Sequence, residues 1–146
     1  MTDPLPHANL YARLGPSPGR GVGVFALRAI PAGTDPFRGD AAGTVRVPAA
    51  GVAAIAEEAV RRMYRDFCPL VDGFYVAPVD FNAMGIAWYM NHADRPNVAC
   101  DPGLRFAAAR AIAPGEELTV DYRTFSDHAE TYAALWRDGP GGPAPG

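Results

Sequence analysis

A mainly β domain with short helices is the fold class the sequence predicts, and three observations point to it. Sixteen glycines and 15 prolines among 146 residues punctuate the chain too often for a helical bundle and suit short strands joined by tight turns. The run Val22-Gly23-Val24-Phe25-Ala26-Leu27-Arg28-Ala29-Ile30 is rich in β-branched and aromatic residues and stops at a turn signal, Pro31-Ala32-Gly33. Only one long stretch carries a helical period.

In chain order, the run at Val22 to Ile30 is the first strand. Its closing phrase, Ala26-Leu27-Arg28-Ala29-Ile30-Pro31-Ala32-Gly33, returns as Ala108-Ala109-Arg110-Ala111-Ile112-Ala113-Pro114-Gly115. Two copies imply paired hairpin-like units, since a solenoid needs three or more repeats. Next, Val52, Ile55, Ala56, Ala59, Val60, Met63, Tyr64 and Phe67 recur at helical spacing while Glu57, Glu58, Arg61, Arg62 and Arg65 fill the opposite face, which predicts one amphipathic helix over residues 49–67. Strands are expected at Phe74 to Pro78, Leu104 to Arg110 and Glu117 to Tyr122, with a helical turn or two around Asn82 to Met90. A last short helix is expected after the cap residue Ser126, carrying Tyr132, Leu135 and Trp136 toward the core. Residues 10–137 make one domain, and residues 138–146, almost all Gly and Pro, have nothing to bury and read as a disordered tail.

Composition narrows the function classes. The net charge is −3 and the 13 basic residues are scattered, which argues against a nucleic-acid footprint or an anionic-membrane anchor. No leader-like pattern opens the chain and no run reaches the ~18 apolar residues of a membrane span, so a soluble, cytoplasmic protein is expected. Cys68 and Cys100 stand apart from each other and from any ligand at metal spacing, which predicts two reduced thiols, no disulfide and no metal site.

Three segments carry chemical potential. In Gly19-Arg20-Gly21-Val22-Gly23-Val24-Phe25-Ala26, closely spaced glycines let backbone approach a ligand without Cβ interference. No helix opens after them, so this is not a dinucleotide fingerprint. In Trp88-Tyr89-Met90-Asn91-His92-Ala93-Asp94-Arg95-Pro96-Asn97, an amide and an imidazole at the end of an apolar run offer donors and acceptors able to hold an adenine edge. Gly115-Glu116-Glu117-Leu118-Thr119-Val120-Asp121-Tyr122 is a turn, then an alternating strand ending in Asp-Tyr. Each alone also admits a plain reading: a glycine-rich hairpin turn, a histidine closing a turn, a strand-end tyrosine.

Together, in this order, the three resemble the SET domain of protein lysine methyltransferases. The glycine segment is similar to that family's Gly-x-Gly before Phe-Ala, the second to its Asn-His followed by Pro-Asn, and the third to its Gly-Glu-Glu-Leu-Thr-x-Asp-Tyr. The resemblance spans about residues 10–125. It implies a β-clip-like fold of small sheets with a knot-like crossing, in which the C-terminal part passes through an earlier loop and brings Asn91-His92 beside Asp121-Tyr122. It also implies S-adenosyl-L-methionine as cofactor and a lysine-bearing protein as partner.

Carried over residue by residue, the resemblance has Arg20, Gly21, Val22 and Gly23 line the methionine end of the cofactor. Asn91 and His92 hold its adenine and ribose side, with Tyr89 packing nearby. Tyr122 is then the active-site tyrosine, between cofactor and lysine channel, and Tyr75 and Phe125 are candidates for the channel walls. Two departures stand out: Ala93 takes the place of a common Ser, and no Cys precedes Pro96. The cysteine-rich segment that covers the cofactor in many members is also missing, leaving Tyr132 or Trp136 to close the site. Two rival readings share the architecture: a non-catalytic SET-fold module that holds a peptide, and a clip-like binder of a small molecule or sugar.

Overall fold

The structure, a computed structural model, describes residues 5–38 and 43–127. Among the described residues nine short strands carry the fold: β1 (Ala12–Ser17), β2 (Gly21–Ala26), β3 (Thr44–Pro48), β4 (Leu70–Val71), β5 (Phe74–Pro78), β6 (Asn91–His92), β7 (Val98–Cys100), β8 (Phe106–Ala108) and β9 (Glu117–Val120). Two helices, α1 (Ala49–Ala53) and α2 (Glu58–Phe67), and three 3-10 turns (Phe81–Ala83, Ile86–Tyr89, Tyr122–Thr124) complete them. The fold is therefore mainly β with short helices, as the sequence predicts. Three sheets form, ordered β1-β2-β9-β6, β3-β5-β4 and β7-β8.

The first hairpin shows how sequence sets geometry. Pro18 supplies the fixed φ of a turn and Gly19, at φ 73, the left-handed residue after it. Arg20 N–H closes this turn on the carbonyl of Ser17 at 3.0 Å. β1 and β2 then pair antiparallel from Ser17↔Gly21 to Ala12↔Ala26, and β2 passes its other edge to β9. Alternation along these strands sends Val24, Leu118 and Val120 into the core.

The two similar phrases meet face to face. Ile30 and Ile112 exchange backbone hydrogen bonds of 2.9 Å in each direction. Ala26 N–H reaches Glu116 O at 2.9 Å, and Ala108 N–H reaches Thr34 O at 2.7 Å; Gly115 N–H returns to Ala26 O and Gly33 N–H to Ala108 O, both at 2.8 Å. Gly33 and Gly115, at φ 85 and 89, end equivalent turns. The repeat thus forms a local two-fold, with both isoleucines 1% exposed at its centre.

Several expected boundaries are corrected. The first strand ends at Ala26, because the chain bends there and returns only at the Ile30–Ile112 bridge. The helix over residues 49–67 is two helices: Ile55 N–H turns back to Val52 O at 3.0 Å, and the Arg61 guanidinium takes the carbonyls of Ile55 and Ala56 in place of a continuing ladder. The strand expected from Leu104 begins at Phe106, since Leu104 sits at φ 60 in the turn from Asp101. The last strand stops at Val120, and Tyr122 opens a 3-10 turn capped by the Asp121 carboxylate. The expected helix after Ser126, its Tyr132, Leu135 and Trp136, and the Gly/Pro tail lie outside the described residues. Among the described residues no helix is long and apolar enough to cross a membrane. Cys68 and Cys100 are buried free thiols, and burial pushes both up to about 12.

Candidate functional site

β6 pairs parallel with β9, setting Asn91 opposite Thr119 and His92 opposite Val120. β9 in turn borders β2. This one sheet gathers segments far apart in sequence: the glycine strand, the Asn-His pair and the run into Asp121-Tyr122.

Asn91 is 6% exposed, and its amide nitrogen donates to Val22 O at 3.1 Å and to Glu117 Oε2 at 2.8 Å. The Glu117 carboxylate also accepts from Ser17 Oγ at 2.8 Å. It lies directly over Gly23: a Cβ at that position would stand 2.6 Å from Oε2 and 3.0 Å from the Ser17 Cβ. Gly23 therefore makes room for Glu117. Gly21 differs, being at φ 75 with nothing within 4 Å of an added Cβ, so the backbone there is open to a ligand.

His92 is 1% exposed and fully engaged. Its Nδ1 accepts from the backbone N–H of Tyr122 at 3.1 Å, which assigns the neutral ring's proton to Nε2, 3.0 Å from Asp94 Oδ1. Its carbonyl accepts from Arg20 Nη1 at 2.9 Å. Beside it, the Arg123 guanidinium holds the Asp121 carboxyl below its ordinary value, against the opposing effect of burial. Asn97, 4% exposed, donates to Glu117 O at 2.8 Å and accepts from Thr119 N–H at 2.9 Å, pinning the backbone of β9.

Tyr122 is half-buried. The hydroxyl donates to Met90 O at 2.6 Å. Burial pushes this phenol well above the usual tyrosine range, the Glu117 charge adding to the effect and Arg20 opposing it. The ring meets Phe125 edge-on, with centroids 6.0 Å apart. Both line a cavity of about 260 Å³ whose wall also includes Phe37, Phe67, Met90 and Phe106.

The structure thus brings Arg20, Val22, Gly23, Asn91, His92 and Tyr122 into one connected set, with Phe125 in the cavity wall. It does not bring Tyr75 there: that ring sits on β5 against Tyr64, 5.9 Å between centroids, and is not part of the cavity lining. Tyr89 packs edge-on against Phe67 at 5.4 Å and is not part of the cavity lining. Glu117 and Asn97 lie within the second and third chemical segments of the sequence, where neither residue type signals a site by itself.

A family model of the SET domain matches residues 21–123 of this chain. No curated protein matches it in sequence. Among solved structures, a Plasmodium falciparum protein put forward as a histone methyltransferase is similar at 19% identity and a TM-score of 0.48, over 77% of this chain and 93% of that one.

Proposed function

The chain belongs to the SET-domain family, and from that premise we propose that it transfers a methyl group from S-adenosylmethionine to a lysine side chain of a protein. The observation that carries the reading is the joining of Asn91-His92 to both the glycine strand and Tyr122, through Val22 O on one side and the Tyr122 N–H on the other. An aromatic cavity opens at the same tyrosine.

The residues present fit the cofactor. Gly21 leaves open space at the strand's start, Arg20 adds a guanidinium beside it, and the Asn91–His92 pair supplies fixed polar groups. When bound, S-adenosylmethionine supplies an electrophilic methyl carbon on a sulfonium. In this reading Arg20, Gly21, Val22 and Gly23 hold its amino-acid end, and Asn91 and His92, backed by Tyr89, continue the site.

Tyr122 is the catalytic residue of the proposal. Its hydroxyl hydrogen is committed to Met90 O, so its oxygen presents lone pairs and can orient a methyl group by weak C–H···O contacts worth ~0.5–1 kcal/mol each. The phenol, held protonated, acts as an oriented dipole and not as a base. The cavity wall, with Phe37, Phe67, Phe106 and Phe125 beside Asp35 and Asp66, would take a lysine side chain, and the neutral amine is the form that displacement requires. Tyr75 drops out of the channel, and Phe125 stays. The buried thiols at Cys68 and Cys100 suit a reducing compartment, and the cytoplasm is the location we assign.

Transfer of labelled methyl from the cofactor to arrays of lysine-bearing peptides and to whole-cell protein tests the reading. All 13 basic residues of the chain are arginines, so methyl-lysine in the products reports the substrate and not the enzyme. Wild type is expected to transfer label, and Tyr122→Phe to lose about a hundredfold in rate. Cofactor binding without transfer would favour the non-catalytic module instead.

A further inference from the structure

The sheet β3-β5-β4 turns its two faces to different surroundings. Tyr75, opposite Val47, stacks on Tyr64 of α2, so that helix lies on one face. Side chains alternate along a strand, which puts Thr44 and Arg46 of β3 together with Phe74 and Val76 of β5 on the other. There Thr44 and Arg46 are exposed, Phe74 is 37% exposed and Val76 is half-buried.

The Arg46 guanidinium lies over the Phe74 ring, 4.9 Å from its centroid. Among the described residues no carboxylate pairs with it. A ring beneath a guanidinium restrains its position while leaving the N–H groups on its edge free to meet a carboxylate. The pair is thus a platform that is part cationic and part apolar, and an acidic residue beside an apolar one complements both parts. Arg65 and Arg105 of the cavity wall already hold Glu58 and Asp101, so neither competes with Arg46 for an incoming carboxylate.

This face runs into the cavity. Thr44, on the same side of β3 as Arg46, belongs to the wall that also contains Tyr122, whereas Arg46 and Phe74 lie outside the lining. A strand rises ~3.3 Å per residue, which sets Arg46 about 7 Å beyond Thr44. A segment whose lysine enters the cavity reaches the platform with a residue about two to four places along the chain.

We propose that the Arg46–Phe74 pair determines substrate specificity: it selects a protein segment with Asp or Glu beside an apolar residue, about two to four positions from the target lysine. The inference rests on the methyl-transfer reading above and adds to it the chemistry of the substrate's flank.

The test uses the full chain, labelled S-adenosylmethionine and a peptide library with one central lysine and four randomised positions on either side. Methylated peptides are sequenced by mass spectrometry for wild type, Arg46→Gln and Arg46→Glu, with thermal melting to check that both variants fold. Wild type is expected to enrich Asp and Glu by about threefold at a position on one side of the lysine. Arg46→Gln should lose this enrichment, and Arg46→Glu should replace it with enrichment of Arg at the same position. Methylation without acidic enrichment, or acidic enrichment that survives in both variants, would overturn the inference and leave methyl transfer standing. No methylation of the library by folded wild type would overturn that reading and the inference together.

Discussion

The backbone N–H of Tyr122 donates to Nδ1 of His92 across 3.1 Å, joining two segments that lie 30 residues apart in the chain. The bond fixes the imidazole tautomer and fastens the start of the 3-10 turn on which Tyr122 sits. The Tyr122 hydroxyl bonds Met90 O, two residues before His92, so both ends of the tyrosine are tied to the same short segment.

His92→Ala should therefore cost far more stability than a surface change. It removes the acceptor of the Tyr122 N–H, takes one contact from the Asp94 carboxylate, which keeps its ion pair with Arg123, and opens a void at a position 1% exposed. A loss of about 3 kcal/mol is expected in urea unfolding. A loss under about 1 kcal/mol would show that this bond does not hold the segment.

Asp121 predicts a pH signature. Its carboxyl is held below the ordinary value of 3.8, chiefly by its hydrogen bond with Arg123, so its ionised form favours the folded state. That contribution is complete above the unfolded value, near 3.8, and disappears as pH falls through the lower folded one. Asp121→Asn keeps an oxygen to cap the turn but loses the charge. The stability gap to wild type should be roughly 1 kcal/mol or less at pH 7 and should close as denaturation is repeated at pH values progressively below 4. A gap independent of pH would contradict this assignment.

The two site glycines should fail for different reasons. Gly23→Ala drives a methyl into the Glu117 carboxylate and should cost about 1–3 kcal/mol, part of which returns when Glu117 is also truncated to Ala. Gly21→Ala meets no atom but is held at φ 75; it should cost about 1–2 kcal/mol, with no coupling to Glu117. Denaturation of the singles and doubles measures both, and equal coupling at the two positions would refute the distinction.

Local patterns were readable where local forces decide. Phe74–Pro78 forms the strand expected there, and the two Ala-to-Gly phrases could be recognised as a pair before their Ile30–Ile112 bridge was seen. Periodicity does not register the break in the helix, because the apolar spacing continues on either side while the Arg61 side chain takes the carbonyls at the gap. β6 is two residues long and pairs parallel with a strand 28 positions later; no local signal marks it. Glu117 was visible only as part of the third segment, since its partners Ser17, Gly23 and Asn91 come together through the fold. Tyr75 is near the site segments in sequence, yet its ring packs on a neighbouring sheet against Tyr64.

The central claim is that the Asn91-centred junction of three segments is a cofactor site. Isothermal titration of purified wild type and Asn91→Ala with S-adenosylmethionine tests it most directly, because it requires no knowledge of the substrate. Saturable binding at one site per chain is expected of wild type, and loss of that binding of a folded Asn91→Ala variant. Absence of binding by folded wild type, or equal binding by the variant, would contradict it.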